Sequence, residues 1–74
     1  MGPAMLTPDV LKSYLREMPR GHVFDLRYDL FATVFPPGAG DRAAWDALEV
    51  LAEACDIEVK DFADEQRIEL IKRG

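Results

Sequence analysis

The chain contains few of the residues that build catalytic centres, metal sites or disulfide frameworks. Its 74 residues include one cysteine, Cys55, and one histidine, His22. A single cysteine excludes an internal disulfide and is typical of a reducing compartment, so we expect a cytoplasmic protein. One imidazole and one thiol supply neither a zinc ligand set nor a nucleophile with its base and orienting acid. We therefore expect no enzyme activity, no metal and no cofactor.

Long apolar runs are also absent. No stretch approaches the roughly 20 residues that a membrane-spanning helix needs, and no hydrophobic signal core follows the N-terminus. The composition, 49% hydrophobic and 31% charged, is that of a folded protein, and its length fits one domain. We interpret residues 1–6 as an N-terminal extension or expression remnant and residues 7–74 as a single domain without membrane association.

The charge is distributed unevenly along the chain. Residues 1–40 hold four acids and four bases, whereas residues 41–74 hold ten acids and five bases. The whole net charge of −5 therefore comes from the second half. Such asymmetry indicates the kind of partner that a surface attracts rather than the fold that carries it.

The first half predicts two helices with a short strand between them. Thr7 precedes Pro8, the combination of a capping side chain and a proline in the first helical position. Apolar residues at helical spacing then predict a first helix over Pro8–Met18. Alternation predicts a strand over His22–Leu26, and renewed helical spacing predicts a second helix over Tyr28–Val34.

The second half predicts a long helix followed by a hairpin. Asp41 is expected to cap a third helix that extends to about Cys55. Its broad apolar face, which includes Ala47 and Ala54, lies opposite an acidic one. The hairpin strands are predicted at 57–62 and 67–72. A turn at Asp64–Glu65 sets the register: Val59 opposite Leu70, Lys60 opposite Glu69, and Phe62 opposite Arg67. These three pairs are apolar, ionic and cation–aromatic in turn. The predicted core contains Leu11, Leu15, Phe31, Leu48, Leu51, Val59 and Leu70.

This order of elements resembles the winged helix-turn-helix fold. The predicted fold class is accordingly α+β and winged-helix-like, with three helices, a short strand and a C-terminal β-hairpin. In DNA-binding members of that fold, the third helix enters the major groove and the hairpin wing touches the backbone. The resemblance implies that residues 41–55 and 61–67 would be those parts here.

The charges on those two parts differ from the DNA-binding pattern. The solvent side of the predicted third helix carries Asp46, Glu49, Glu53 and Asp56, with only Arg42 basic, and the wing tip is Asp64-Glu65-Gln66. Non-specific DNA binding comes from Lys and Arg that neutralise phosphates, so acids at these positions repel the duplex. We do not expect direct DNA binding in the usual mode.

The favoured hypothesis is a small acidic protein-interaction module that binds a basic surface of another protein. If that surface is the groove of a nucleic-acid-binding protein, the module is an inhibitor or nucleic-acid mimic, as some phage or mobile-element proteins are. The predicted partner-binding residues are Asp46, Glu49, Glu53, Asp56, Trp45, Asp64 and Glu65. The alternatives are a winged-helix DNA-binding transcriptional regulator and a structural subunit of a larger assembly. The oligomeric state is left open between monomer and homodimer.

Overall fold

A computed structural model describes residues 6–74; residues 1–5, which belong to the predicted N-terminal extension, lie outside the described residues. The elements in chain order are α1 (Pro8–Glu17), β1 (Val23–Arg27), α2 (Tyr28–Val34), α3 (Arg42–Ala54), β2 (Ile57–Phe62) and β3 (Arg67–Lys72). A short 3₁₀ turn, Ala63–Glu65, joins β2 to β3. The described chain is therefore α+β, as predicted, and each predicted helix or strand lies within one residue of the observed bounds.

Both longer helices begin at the capping side chains that the sequence predicts. Thr7 Oγ1 accepts a hydrogen bond from the backbone N–H of Val10, at 3.2 Å, at the start of α1. Asp41 Oδ2 accepts one from the N–H of Ala44, also at 3.2 Å, at the start of α3. Each cap satisfies one of the backbone donors that a helix N-terminus leaves unpaired. None of the helices within residues 6–74 combines the length and the apolar character that crossing a membrane requires.

The three strands form one antiparallel sheet in the order β1-β3-β2. The hairpin register is the predicted one, with Val59 opposite Leu70 and Phe62 opposite Arg67. Strand β1 pairs with the other side of β3, with Leu26 opposite Ile68. Because side chains alternate between the faces of a sheet, one face turns Leu26, Ile68 and Leu70 toward the helices, and all three are fully buried.

One hydrophobic core lies between the helices and this inner face of the sheet. Six of the seven predicted core residues are buried, and the seventh, Val59, is half-buried at its edge. The apolar face of α3 is narrower than predicted, since Ala47 and Ala54 are exposed. Only the arc centred on Leu48 and Ala52 meets the core, because a helix packed against a sheet buries about one stripe of its surface.

The connection between α2 and α3 is fixed by a glycine and an indole. Gly38 has a φ of +101°, and a Cβ at this position would lie 2.7 Å from the Cβ of Ala32, so only glycine fits. The neighbouring Ala39 carbonyl accepts a hydrogen bond from Trp45 Nε1 at 2.8 Å. The loop is thereby attached to the first turn of α3 and sets the direction in which that helix starts.

Candidate interaction surface on the third helix

The acidic face of α3 is exposed along its length. Asp46, Glu49 and Glu53 lie three and four residues apart, so their side chains follow one another along the helix. Asp46 is within 3.4 Å of Arg42, although both side chains are largely exposed. Within residues 6–74 no cation lies at ion-pair distance from Glu49 or Glu53. These two carboxylates are therefore available to a partner.

An open groove of about 320 Å³ runs between α3 and β2. It is lined by Glu49, Ala52, Glu53, Asp56, Ile57, Val59 and Arg73. The apolar members lie on the core side, with Ala52 and Ile57 buried, and the carboxylates stand at the rim. The structure thus brings together three of the predicted binding residues, Glu49, Glu53 and Asp56, around an apolar base.

Arg73 is the one cation in the groove lining. Its backbone N–H donates to the Asp56 carbonyl at 3.1 Å, and its Nε lies 3.9 Å from Glu58 Oε1. One guanidinium therefore faces several carboxylates, and the groove keeps a negative excess. The sequence interpretation missed Arg73 and Glu58 as neighbours of this site. Extending the predicted hairpin register by one step beyond Ile57 opposite Lys72 places Arg73 opposite Asp56, so the signal was present.

Asp56 occupies an unusual backbone conformation between α3 and β2. Its φ is 60°, in the left-handed region that glycine adopts most easily after a helix. Aspartate tolerates this region better than most residues, but a side chain there is still less favourable than none. The side chain of Asp56 therefore makes this turn somewhat less stable than a glycine would. Asp56→Gly removes the carboxylate and suits the backbone conformation at this position.

Trp45 lies at the other end of α3 and faces inward more than outward. Its ring packs edge-on against Phe31, at 4.9 Å between centroids, and against Tyr28, at 6.3 Å. Its N–H is used by the Ala39 carbonyl. A partner would therefore meet the outer part of a half-buried ring whose polar group is already satisfied.

The hairpin turn is separate from the groove. Asp64 and Glu65 lie at the far end of β2, about 20 Å from Asp56 for a six-residue strand. Glu65 Oε1 also accepts a hydrogen bond from Arg67 Nε at 2.7 Å. The structure therefore does not join these two predicted residues to Glu49, Glu53 and Asp56 in one site.

Arg67 connects all three strands on the outer face of the sheet. Its Nη1 lies 3.2 Å from Asp25 Oδ1 and 2.8 Å from Glu69 Oε2, and its guanidinium lies 4.4 Å from the centroid of Phe62. The predicted cation–aromatic contact is confirmed. Lys60 stands opposite Glu69 as predicted, but Glu69 is bound by Arg67. Hydrogen bonds to Glu69 and Glu65 raise the pKa of Arg67 further above its usual range.

A phenol–carboxylate contact joins α2 to the hairpin. Tyr28 Oη donates to Asp61 Oδ1 at 2.5 Å. Burial, together with the hydrogen bond and the negative charge of Asp61, raises the pKa of Tyr28 to about 12. All of these effects favour the neutral phenol over the phenolate. The contact holds the start of α2 against the end of β2, beside Trp45.

The sulfur and imidazole groups lie in different environments. Cys55 is buried and its Sγ donates to the Lys12 carbonyl at 3.7 Å, while His22 is exposed. Across residues 6–74, no three side chains of the metal-binding types are grouped closely enough to hold an ion. The groove between α3 and β2 is a charged, partly apolar surface.

Comparisons with protein-family models, with curated proteins and with solved structures found no match to this chain.

Proposed function

We propose that this protein is a small acidic interaction module of winged-helix-like architecture that binds a basic surface of another protein. The α3–β2 groove is its binding site, and lysine or arginine side chains of the partner lie against Glu49, Glu53 and Asp56. Where the partner is a nucleic-acid-binding protein, occupation of its basic groove makes the module an inhibitor that acts as a nucleic-acid mimic. The lone buried Cys55 suits a reducing, cytoplasmic setting.

A single observation carries this proposal: Glu49 and Glu53 are exposed and without a cation at ion-pair distance among residues 6–74, yet line the same groove as Asp56. Asp25 and Glu69, by contrast, are bound within the fold by Arg67. Like charges at this spacing on a helix repel one another. A cluster that the fold does not need and that opposes helix stability is best explained by an external cation.

The apolar base of the groove gives the site more than charge. Ala52, Ile57 and Val59 provide a surface for the methylene stems of lysine or arginine, whose charged ends then reach the carboxylates at the rim. In such a contact, attraction between opposite charges speeds association, and burial of the stems distinguishes a matching partner from other basic surfaces.

The winged-helix assignment rests on the order of elements and on the pairing of β1 with β3 beside the β2–β3 hairpin. In that arrangement α3 would be the helix that DNA-binding relatives insert into the major groove. Its exposed acids argue against the alternative function of a DNA-binding regulator. A mobility-shift titration with duplex DNA at low salt separates the two functions, since the favoured one expects no shift.

The direct test is a titration with an arginine-rich peptide as a generic basic ligand. We expect Glu49→Lys combined with Glu53→Lys to weaken binding by about tenfold or more, because two attractive contacts become repulsive. Asp56→Gly should also weaken binding while the melting temperature holds or rises. Wild-type binding should weaken as salt increases.

The matched control is Asp9→Lys combined with Glu17→Lys, which changes the net charge equally on α1, away from the groove. This variant should lose much less affinity than the groove variant. Equal losses in both would show that the peptide responds to net charge alone, and the groove would then not be the binding site.

A further inference from the structure

The second notable surface of the molecule is the open edge of β1. The sheet order leaves β1 at one edge, with β3 on one side and no further strand from residues 6–74 on the other. The Lys72 N–H donates to the His22 carbonyl, and the Tyr28 N–H donates to the Gln66 carbonyl. The even-numbered residues of the β1 segment therefore direct their backbone N–H and C=O groups toward β3. In an antiparallel ladder the alternate residues then direct their backbone groups to the open edge. Those residues are Val23, Asp25 and Arg27.

The side chains on this edge are self-complementary. Asp25 and Arg27 lie two residues apart on the same face of the sheet and are both exposed. Charged edge strands usually prevent pairing, because like charges meet. Here the two charges have opposite signs, so a second antiparallel β1 can bring acid against base.

One register satisfies both charges. When the two-fold axis passes beside Leu26, Asp25 of each copy faces the partner's Arg27, which gives two ion pairs and two pairs of backbone hydrogen bonds. A register centred on Asp25 would instead place the two carboxylates against each other. The charges therefore select the first register.

The groups needed for this contact are accessible. Arg27 has a loose contact with Asp29, at 4.0 Å, and its side chain is 73% exposed. Asp25 already accepts from Arg67 through Oδ1, but more than half of its side chain remains exposed, and a carboxylate accepts several donors. Both groups can therefore take a further partner.

Apolar surface lies beside the same edge. Tyr14 of α1 is 53% exposed, and its ring stands 5.2 Å from that of Phe24, which belongs to β1. Val10, one turn away, is 51% exposed. Apolar side chains next to an open strand edge supply contact area that a four-bond backbone ladder lacks on its own.

We infer that the protein forms a two-fold homodimer through antiparallel β1–β1 pairing, with Asp25 opposite the partner's Arg27. The sheet then continues through six strands, and the α3–β2 groove of each copy stays open at the far side of its own sheet. The contact is short, so the dissociation constant should lie between about 10 µM and 1 mM.

The test is the molar mass in solution as a function of concentration, from sedimentation equilibrium. The wild type should approach twice the 8.3 kDa of one chain as the concentration rises through the micromolar range to the millimolar range. Arg27→Asp, at an exposed position, should weaken dimerisation about tenfold or more because it sets like charges opposite each other. Lys60→Asp, the same kind of reversal on the opposite edge strand β2, should change nothing.

A mixing experiment identifies the register. Asp25→Lys should also weaken dimerisation, but an equimolar mixture of Asp25→Lys and Arg27→Asp should regain it, since every acidic position then faces a basic one. Melting curves establish that each variant is folded. A wild type that stays at 8.3 kDa at millimolar concentration, an Arg27→Asp dimer as tight as wild type, or a mixture no tighter than its components would each overturn the inference.

Discussion

Strand β3 carries a cation at each end, and the two are satisfied in opposite ways. Arg67, at the start of the strand, lies on the outer face with three carboxylates and the ring of Phe62 around it. Lys72, at the end, lies on the inner face and is only 9% exposed. Its Nζ donates to the backbone carbonyls of Leu15 and Arg16, at 2.8 and 3.1 Å. Arg67 links the strands at the partly exposed outer face, whereas Lys72 caps the end of α1 inside the fold.

The comparison distinguishes two kinds of surface in this small domain. On the inner side, even a charged group is held by backbone carbonyls in a largely buried setting, so substitution there affects folding. On the outer side, charges bind one another in solvent, where each contact is weak and can be exchanged for a contact with a partner. The acids of α3 belong to the second kind.

The largest effect should come from Leu48→Ala, since Leu48 is fully buried on the core side of α3. We expect a loss of about 2–5 kcal/mol from the lost burial and the cavity left behind. That is a large part of the roughly 4–11 kcal/mol that a domain of this length has. Chemical denaturation measures it. Val50→Ala on the same helix, at a position 70% exposed, is the control and should change stability by less than about 0.5 kcal/mol.

Lys72→Met tests the inner cation. Methionine keeps most of the apolar stem but removes the ammonium that donates to the Leu15 and Arg16 carbonyls, of which Leu15 still accepts from the Met18 N–H. We expect a loss of about 1–3 kcal/mol. Lys60→Met, an exposed lysine on β2, should stay within about 0.5 kcal/mol. Denaturant midpoints at neutral pH give both values. An equal, small effect in the two variants would mean that water replaces the ammonium at the end of α1.

Arg67 tests the outer cation by the same comparison. Arg67→Met leaves Asp25, Glu65 and Glu69 close together without a counter-charge, and should lower the melting temperature less than Lys72→Met does. Arg67→Lys keeps the charge but not the planar fork, so it should recover only part of the loss. Because the carboxylates of Asp25 and Glu65 are more than half exposed, the difference from wild type should shrink at high salt. If the difference in melting temperature between Arg67→Met and wild type does not change with salt, Arg67 behaves like the buried Lys72.

Tyr28 gives a pH-dependent test at the boundary between the two sides. Its pKa in the folded protein, about 12, lies above the unfolded value of 10.0, so its contribution to stability is complete below pH 10. That contribution is lost as the pH rises toward 12, because the unfolded chain releases the proton first. Tyr28→Phe should therefore lose less stability than wild type between pH 10 and 12. In a Tyr14→Phe background, phenolate absorbance reports the titration of Tyr28 directly; a midpoint near 10 would contradict the contact with Asp61.

Most elements of the fold could be predicted from the sequence, because helix starts and strand register depend on residues that are close together in the chain. Capping residues fix where α1 and α3 begin, and alternation on both strands fixes the hairpin register. What the sequence did not predict depends on tertiary placement. Lys72 follows Ile68 and Leu70 on the inner face, which the alternation implies, but its acceptors lie more than fifty residues earlier. Ala47 and Ala54 are apolar but exposed, since packing selects only part of an apolar arc.

Part of the candidate site could also be predicted, because it too depends on residues close together in the chain. The helical spacing alone puts Glu49 and Glu53 on one exposed face. Their meeting with Asp56 at a groove follows from the way β2 folds back along α3, and the separation of Asp64 and Glu65 from it follows from the length of that strand. Glu65 also accepts a hydrogen bond from Arg67, and this pairing depends on the geometry of the turn rather than on any pattern in the sequence.

The smallest effect, and the one that separates the two surfaces most sharply, is expected for Glu49→Lys. Glu49 lies three residues after Asp46 and four before Glu53, so the substitution turns two repulsive pairs into attractive ones. Each change of this kind is worth about 0.2–0.5 kcal/mol, and the folded state should become slightly more stable. Glu49→Gln, which removes the repulsion without adding attraction, should gain about half as much. The same proteins should bind the arginine-rich peptide less tightly, so stability and binding move in opposite directions, as they do when a charge is kept for a partner. A loss of stability in both variants would instead show that Arg73 holds Glu49 within the fold, and the groove would then belong to the inner kind of surface.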